Sequence, residues 1–399
     1  MKKLSKYILS TIILLSLLFS SLNVFAGGAD GLPANAVPEE DVDSGTLNLN
    51  SRSAVLMEVS GGTVFYEMNP HEKMSPASIT KVMTLLLSME AIENGKIALD
   101  DMAVCSEHAN SMGGSQIWLE VGEQMSVDDL LKAICMASAN DASLMLAEHV
   151  AGSEEVFVDM MNKRAVELGM ENTNFVNTTG LDADGHYSTA YDIALMSAEL
   201  LRHPIIKEYS TIWMDSLRGG ETELVNTNRL VRFYNGATGL KTGTTDDAGK
   251  CLSASAMRDG MELVAVTLGS ETSDQRFDAA KTLLDYGFAN WEVTTPPKME
   301  DEIVPVKVLK GIDDTVEIEI SDINAIVVER GRKSDITYII DIVPDVEAPV
   351  EEGQTLGKIS IMLDDTEISA ISLNAKSSVE RMSFLKALGI LSKSFVNFS

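Results

Sequence analysis

"PASITKVMTLLLSMEAI", residues 76–92, closes a polar stretch and opens an apolar run, and its Ser78 and Lys81 stand three positions apart. On a helix that spacing puts both side chains on one face, about 5–6 Å apart between Cβ atoms. Two readings compete. Serine is a favoured N-cap and lysine an ordinary helix-surface residue, so the pair can simply start a helix. Alternatively, Ser78 is a nucleophile with its own base. A second such pair, Ser383 and Lys386, has no chemistry around it. The pair alone therefore decides nothing, and the rest of the chain must.

At 399 residues the chain exceeds one typical domain and predicts two, each able to bury a core. Residues 1–26 read as an export signal, with Lys2, Lys3 and Lys6, an apolar stretch from Ile8 to Phe19, and small Ala26 at the cleavage position. That apolar stretch is shorter than a membrane span of about 20 residues. Residues 8–26 together can also serve as an uncleaved anchor. The whole chain carries 31 basic against 60 acidic residues, a net charge of −29, and loss of the three leader lysines deepens this to −32. Such a surface repels phosphates, which excludes nucleic acid as a partner. Cys105, Cys135 and Cys251 cannot all pair and match no zinc spacing. They read as small buried hydrophobes, with one disulfide left open. The five histidines form no H-E-x-x-H, and no G-x-S-x-G occurs, which weighs against zinc-hydrolase and Ser-His-Asp chemistry. No metal and no cofactor is expected.

Residues 27–50, rich in Gly, Pro, Asn and acids, read as a flexible lead-in. "SAVLMEV", the turn "SGG" and "TVFYEM" predict a β-hairpin. A helix follows from Ser78 to Asn94, stopped by Gly95. Ser126 and Asp129 form a capping-box pattern before "LLKAICMA", and a second helical run, "ASLMLAEHVAG", follows the polar break "SAND". Helices are also expected over 153–169 and 189–202. After Lys241, "CLSASAM" and "MELVAVTLG" around "RDG" make another hairpin, with a helix from Asp274 to Phe288 behind it. Hairpins at both ends with helices between them predict an α+β domain, one antiparallel sheet packed on a helical cluster, over 51–293.

At "TTPPK", 294–298, the pattern changes to short alternating stretches such as "VEIEI", "ITYIIDIV" and "KISIML". These predict a small β-sandwich over 294–375 with a structural or spacer role. Residues 376–399 pattern as an amphipathic helix. Lys376, Arg381, Lys386 and Lys393 against Glu380 give it +3, while residues 27–375 carry −35. A basic amphipathic helix lies in a membrane interface, or else packs on its own protein or a partner. The reversal of charge favours the membrane surface.

Two further elements settle the opening pair. Ser138-Ala139-Asn140 falls in the break between two helices, and Lys241-Thr242-Gly243, the chain's one K-T-G, stands just ahead of a hairpin. S-x-x-K, S-x-N and K-T-G in this order resemble the motif set of penicillin-binding proteins and serine β-lactamases. The likeness extends through "SMGGSQIWLE", "SANDASLMLAEH", "NTTGLDADGHYSTAYDIA" and "NTNRLVRFYNGATGLKTG" to the basic C-terminal end. From Ser53 to Ser399 the chain resembles the D-alanyl-D-alanine carboxypeptidases of low molecular mass, in particular the Gram-positive, sporulation-associated kind. The resemblance implies a penicillin-recognising, transpeptidase-like domain followed by a β-rich domain. It implies peptidoglycan stem peptides as substrates, β-lactam antibiotics as covalent ligands, and an exported protein at the outer face of the cytoplasmic membrane. An endopeptidase acting on cross-links would use the same residues. A class A β-lactamase is disfavoured, because no E-x-x-L-N stretch occurs.

A serine hydroxyl is a poor nucleophile without a base. Lys81 serves only if burial and the charge of Lys241 push its pKa well below about 10.4. Ser138 relays the proton to the departing D-alanine, and Asn140 holds Lys81 and the substrate amide. The resemblance further implies an oxyanion hole made by the backbone N–H groups of Ser78 and Thr244. It also implies a carboxylate site of Lys241, Thr242 and Arg276, with Gly243 and Thr244 among the substrate-binding residues. The other reading of Arg276 is a surface arginine paired with an acid. Some family members place an arginine near Thr227, so carboxylate recognition here leans on Arg276.

Overall fold

The computed structural model describes residues 47–294, 303–321, 326–384 and 386–387. The export signal, most of the lead-in, nearly all of "TTPPK" and the end of the terminal helix lie outside the described residues. Five antiparallel strands form the main sheet: β1 (Ser53–Glu58), β2 (Val64–Met68), β3 (Ala237–Thr245), β4 (Gly249–Arg258) and β5 (Met261–Ser270). Their spatial order is β2-β1-β5-β4-β3. Side chains alternate between faces along a strand, and β1 uses both. Val55 and Met57 enter a core with the helices α1 (Lys81–Glu93), α2 (Asn140–Ala151), α3 (Glu154–Glu167) and α4 (Ala190–Leu201). Ala54 and Leu56 enter a second core with α5 (Ser273–Asn290). With both faces covered, β1 is buried at every residue, which is why its centre, Ala54 to Met57, is apolar without alternation. The result is three layers, with β3 at one edge of the sheet.

The helix starts follow the caps. Ser153, Thr189 and Thr272 each accept a hydrogen bond from the third backbone N–H beyond them, opening α3, α4 and α5. Thr272 and Gln275 close a full capping box, a pair absent from the sequence reading. Ser126 likewise caps Val127–Lys132 through the Asp129 N–H. Two expectations change in detail. The helix expected from Ser78 begins as a 3-10 turn, Ala77–Thr80, with the α-helix proper starting at Lys81. The "LLKAICMA" helix ends in a π-helical turn, Ala133–Ala137, and Ser138 follows at φ 60°, ψ 29°. π turns gather at functional sites, and a non-glycine residue held at positive φ persists only where its surroundings over-determine it.

The C-terminal region is β-rich. A four-stranded antiparallel sheet runs in the order Ile318–Ile320, Thr366–Ala375, Thr355–Leu363, Ile336–Ile342. A three-stranded sheet joins Thr315–Val316, Val306–Leu309 and Asp345–Glu347. Trp291–Thr294 pairs with Ile326–Glu329, and two small apolar clusters fill the spaces between these sheets. The terminal helix needs correction at its start. Residues 376–382 are not helical: Val379 is buried and bridges to Val350, and Arg381 bridges to Gly311. Burying Val379 beside Val306 and Val350 favours an extended strap over a solvated helical turn. The described helical residues begin at Phe384.

Candidate active site

The turn that carries Ser78 is shaped by close packing. Gly180, at φ +83°, lies so near it that a Cβ would stand 1.8 Å from the Ala77 carbonyl oxygen. A Cβ on Gly243 would stand 2.9 Å from the Pro76 oxygen and 3.1 Å from the Ala77 Cβ. The third residue of K-T-G is thus glycine because β3 presses on the serine turn. Ser78 occupies no capping position: Pro76 precedes the 3-10 turn and Thr80 precedes α1, and neither caps through its side chain. The helix-cap reading of the Ser-Lys pair therefore falls.

Lys81 is fully buried, and its Nζ donates to Ser78 Oγ at 3.1 Å and to the Thr179 carbonyl at 2.6 Å. Burial is the main cause that holds the Lys81 amine well below the usual lysine range. Repulsion from Lys241 adds to it, and Asp141 opposes it. Lys241 is itself buried, and burial takes its pKa to about 7, with Cys135 opposing and Arg276 assisting. Its Nζ donates to the Thr242 carbonyl at 3.2 Å. A buried amine depressed this far can be neutral and accept a proton.

Ser138 and Asn140 stand at the break between the π turn and α2, both buried. Asn140 Nδ2 donates to the Gly113 carbonyl at 2.6 Å, and its backbone N–H donates to the Ser115 carbonyl. That engagement explains a departure from expectation: with its amide donor spent on Gly113, Asn140 makes no hydrogen bond to Lys81 among the described residues, and the Thr179 carbonyl supports the amine instead. Asn140 Oδ1 is left buried without a partner among the described residues.

On β3, Thr242 Oγ1 meets Thr227 Oγ1 at 2.8 Å. Arg276, in the first turn of α5, donates to the Gly243 carbonyl at 3.0 Å and to Thr244 Oγ1 at 3.2 Å. It is 8% exposed, and no carboxylate pairs with it among the described residues. Its Nε is buried without a partner there, and burial lowers its pKa. The surface-arginine reading does not survive this burial. No acid pairs with Lys241 or Arg276 among the described residues, so the Arg276 guanidinium at this end of the site suits an incoming carboxylate.

The sequence profile of the D-alanyl-D-alanine carboxypeptidases matches residues 39–272, and that of the penicillin-binding protein 5 C-terminal domain matches residues 291–381. The D-alanyl-D-alanine carboxypeptidase DacF of Bacillus subtilis is 41% identical over 360 residues, covering 89% of this chain and 92% of that one. The chain belongs to the D-alanyl-D-alanine carboxypeptidase family. Penicillin binding protein 5 from Haemophilus influenzae superposes with a TM-score of 0.74 at 31% identity, over 84% of this chain and 99% of that one. Penicillin-binding protein D2 from Listeria monocytogenes, solved in its ampicillin-bound form, gives 0.56 at 33% identity, over 61% and 99% of the two chains.

Three contributors to this carboxypeptidase site carry no sequence signal of their own. The Thr179 carbonyl reaches Lys81 across 98 positions of chain. The Asp141 carboxylate accepts from the N–H groups of Ile117, Leu119 and Ala142, fixing the loop on which Gly113 and Ser115 meet Asn140. His186 accepts the Val176 N–H at Nδ1, so Nε2 carries the proton and meets Thr80 Oγ1 at 2.8 Å. Burial takes its pKa to about 4, which keeps it neutral. Cys105, Cys135 and Cys251 are all free and buried. Glu90, Glu199 and His203 bring ligand atoms within 4.8 Å of one another. Arg164 already holds both glutamates, at 2.8 and 2.6 Å, so this is an ion-pair cluster.

Proposed function

We propose that this serine-type D-Ala-D-Ala carboxypeptidase removes the terminal D-alanine of peptidoglycan stem pentapeptides through an acyl-enzyme on Ser78. The observation that carries the assignment is the buried Lys81 amine 3.1 Å from Ser78 Oγ. Neutral Lys81 takes the hydroxyl proton as Oγ attacks the carbonyl carbon of the penultimate D-alanine. The backbone N–H groups of Ser78 and Thr244 are assigned to the oxyanion. The C–N bond then breaks, and Ser138 passes a proton to the departing amine. Water hydrolyses the ester and returns Ser78. Lys241, Thr242 and Arg276 hold the terminal carboxylate, Gly243 and Thr244 line the substrate site, and Asn140 Oδ1 accepts a substrate N–H. A β-lactam enters by the same attack and stays as a covalent adduct.

The test is release of free D-alanine from a peptide ending in D-Ala-D-Ala, with intact-mass analysis after penicillin. One added drug molecule is expected on the native chain and none on Ser78→Ala. An adduct that persists on the alanine variant sinks the assignment.

The domains proposed are a catalytic domain at 51–293 and a β-rich domain at 294–375, with Trp291–Thr294 at the boundary. The chain acts outside the cytoplasm. We further propose that the C-terminal segment attaches it to the membrane surface. Phe384 at 81% exposure supports this, because an apolar side chain on a basic helix suits a lipid interface. No helix among the described residues is long and apolar enough to cross a membrane.

A further inference from the structure

We infer that Glu154 is a positioning residue for the Lys81 amine, acting through the turn at residues 177–180. The inference rests on Lys81 being the proton acceptor for Ser78. A base must be held at its nucleophile, and the carbonyl that holds this one, Thr179, lies in a loop between α3 and α4. What places that loop decides where the amine sits.

Asn177 sets the shape of the turn from within, its Oδ1 accepting from Thr179 N–H, Thr179 Oγ1 and Gly180 N–H. Those bonds do not fix its position. Position comes from three helices that converge on Thr178. Thr84 on α1 and Ser143 on α2 both donate hydroxyls to the Thr178 carbonyl, at 2.9 and 3.0 Å. Glu154, the first residue of α3, accepts both the Thr178 N–H and the Thr178 hydroxyl at one carboxylate oxygen, each at 3.0 Å. Among the described residues it is the carboxylate that bonds residues 177–180. Bonds to an ionised acceptor are shorter and about twice as strong as neutral ones. The carboxylate is itself fixed, since it stands at the favourable N-terminus of a helix and its second oxygen faces His108 Nε2 at 3.6 Å.

The chain of contact from Glu154 through Thr178 to the Thr179 carbonyl and Lys81 Nζ thus leaves little freedom. Gly180 forbids the turn from moving toward Ala77. Loss of the Glu154 bonds leaves Thr178 held through its carbonyl alone, by Thr84 and Ser143, and the turn then shifts outward, away from the amine. Lys81 would then keep its burial and lose its carbonyl acceptor. Because that acceptor favours the ammonium form, losing it lowers the lysine pKa further.

The experiment measures the second-order rate of penicillin acylation against pH, with thermal unfolding in parallel, for the full mature chain and three variants. Glu154→Ala is expected to acylate about tenfold more slowly, with the acid limb of the profile displaced to lower pH. Glu154→Gln retains an acceptor for Thr178 and is expected to recover to within about threefold, with the limb restored. Thr178→Val loses one of the two bonds and should show a smaller displacement in the same sense, which keeps the test decisive if Glu154→Ala fails to fold. A slower Glu154→Ala whose limb stays in place, or one that acylates at the native rate, overturns the inference. Lys81→Arg, run alongside, separates the two readings. If it acylates, Lys81 is not the base; if it is dead while Glu154→Ala keeps its limb, only the role of Glu154 fails.

Discussion

Lys241 shows what the site costs the protein. Its ordinary pKa is 10.5, and burial takes it to about 7 in the folded chain. Between those values the unfolded chain holds a proton that the folded chain lacks, so stability rises with pH across the window and is lowest below it. Lys241→Met removes the group from both states. The variant should therefore be more stable than the native chain, on the order of a few kcal/mol below the folded pKa. The advantage should shrink toward pH 10.5, where both states are neutral. Urea unfolding at several pH values measures this, and a difference that ignores pH excludes the buried amine as its source. Carboxypeptidase activity should be lost in the same variant. Lys81→Arg probes the neighbouring position. It keeps a charge but offers no usable neutral form, because arginine effectively never deprotonates. Acylation should fall by orders of magnitude, and an active variant would assign the serine proton to another group. Ser78, Lys81, Ser138, Asn140 and Lys241 were legible because each belongs to a short motif of fixed spacing. The Thr179 carbonyl and the Glu154 carboxylate were not, since a backbone acceptor has no residue type and Glu154 reads as an ordinary first-turn acid.

Among the elements, the serine turn, the 177–180 turn and β3 form a packed unit whose spacing is set by two glycines. Gly180→Ala puts a Cβ 1.8 Å from the Ala77 oxygen in a backbone conformation that alanine adopts poorly. The turn must move, and the Thr179 carbonyl moves with it. Penicillin acylation should drop at least about tenfold, with unfolding destabilised by about 1–3 kcal/mol. Native acylation in a folded Gly180→Ala would show that the packing is looser than the geometry states. Thr272→Ala tests the other side of the site. It removes half of the capping box that opens α5, at about 1 kcal/mol, and Arg276 stands in that same first turn. KM for the D-Ala-D-Ala peptide should rise more than kcat falls. An unchanged KM would separate Arg276 from carboxylate binding. The helix starts at Ser126, Ser153 and Thr189 were readable because a cap is a local bond, whereas the Thr272 box went unread. The π turn before Ser138 was not readable: Ala133, Met136 and Ala137 are strong α-helix formers, and nothing in "AICMA" marks an extra residue in the turn.

For the molecule as a whole, charge sets how it meets a membrane. The body from 27 to 375 carries −35 and should be repelled by anionic lipid. Of the four C-terminal cations, Lys376 pairs with Glu317 at 3.1 Å and Arg381 with Glu347 at 2.9 Å, both on the body. Lys386 contacts Glu380 as well. The residues at 376–382 therefore pack with the β-rich region, and the proposed attachment is left to 383–399, where Lys386 and Lys393 accompany Phe384, Leu388, Leu391, Phe395 and Phe398. The alternating pattern made the sheets of this domain legible. The strap was not, because its lysine and arginine read as the polar face of a helix when they are ion-pair partners of an adjacent sheet. The revised boundary sharpens the test. A mature chain ending at Met382 should keep its acylation rate and its unfolding temperature yet stay in the supernatant with anionic vesicles. The full mature chain should sediment. Each basic residue near the surface contributes about 1 kcal/mol, so with only two cations in the segment apolar burial must supply most of the binding. Screening weakens the charge contribution and leaves the apolar one nearly intact; because salt also relaxes the repulsion of the acidic body, sedimentation of the full chain should persist in high salt. If high salt releases it completely, charge and not apolar burial makes the attachment. If both chains sediment alike, or neither does, residues 383–399 do not bind lipid and a packing role replaces the anchor.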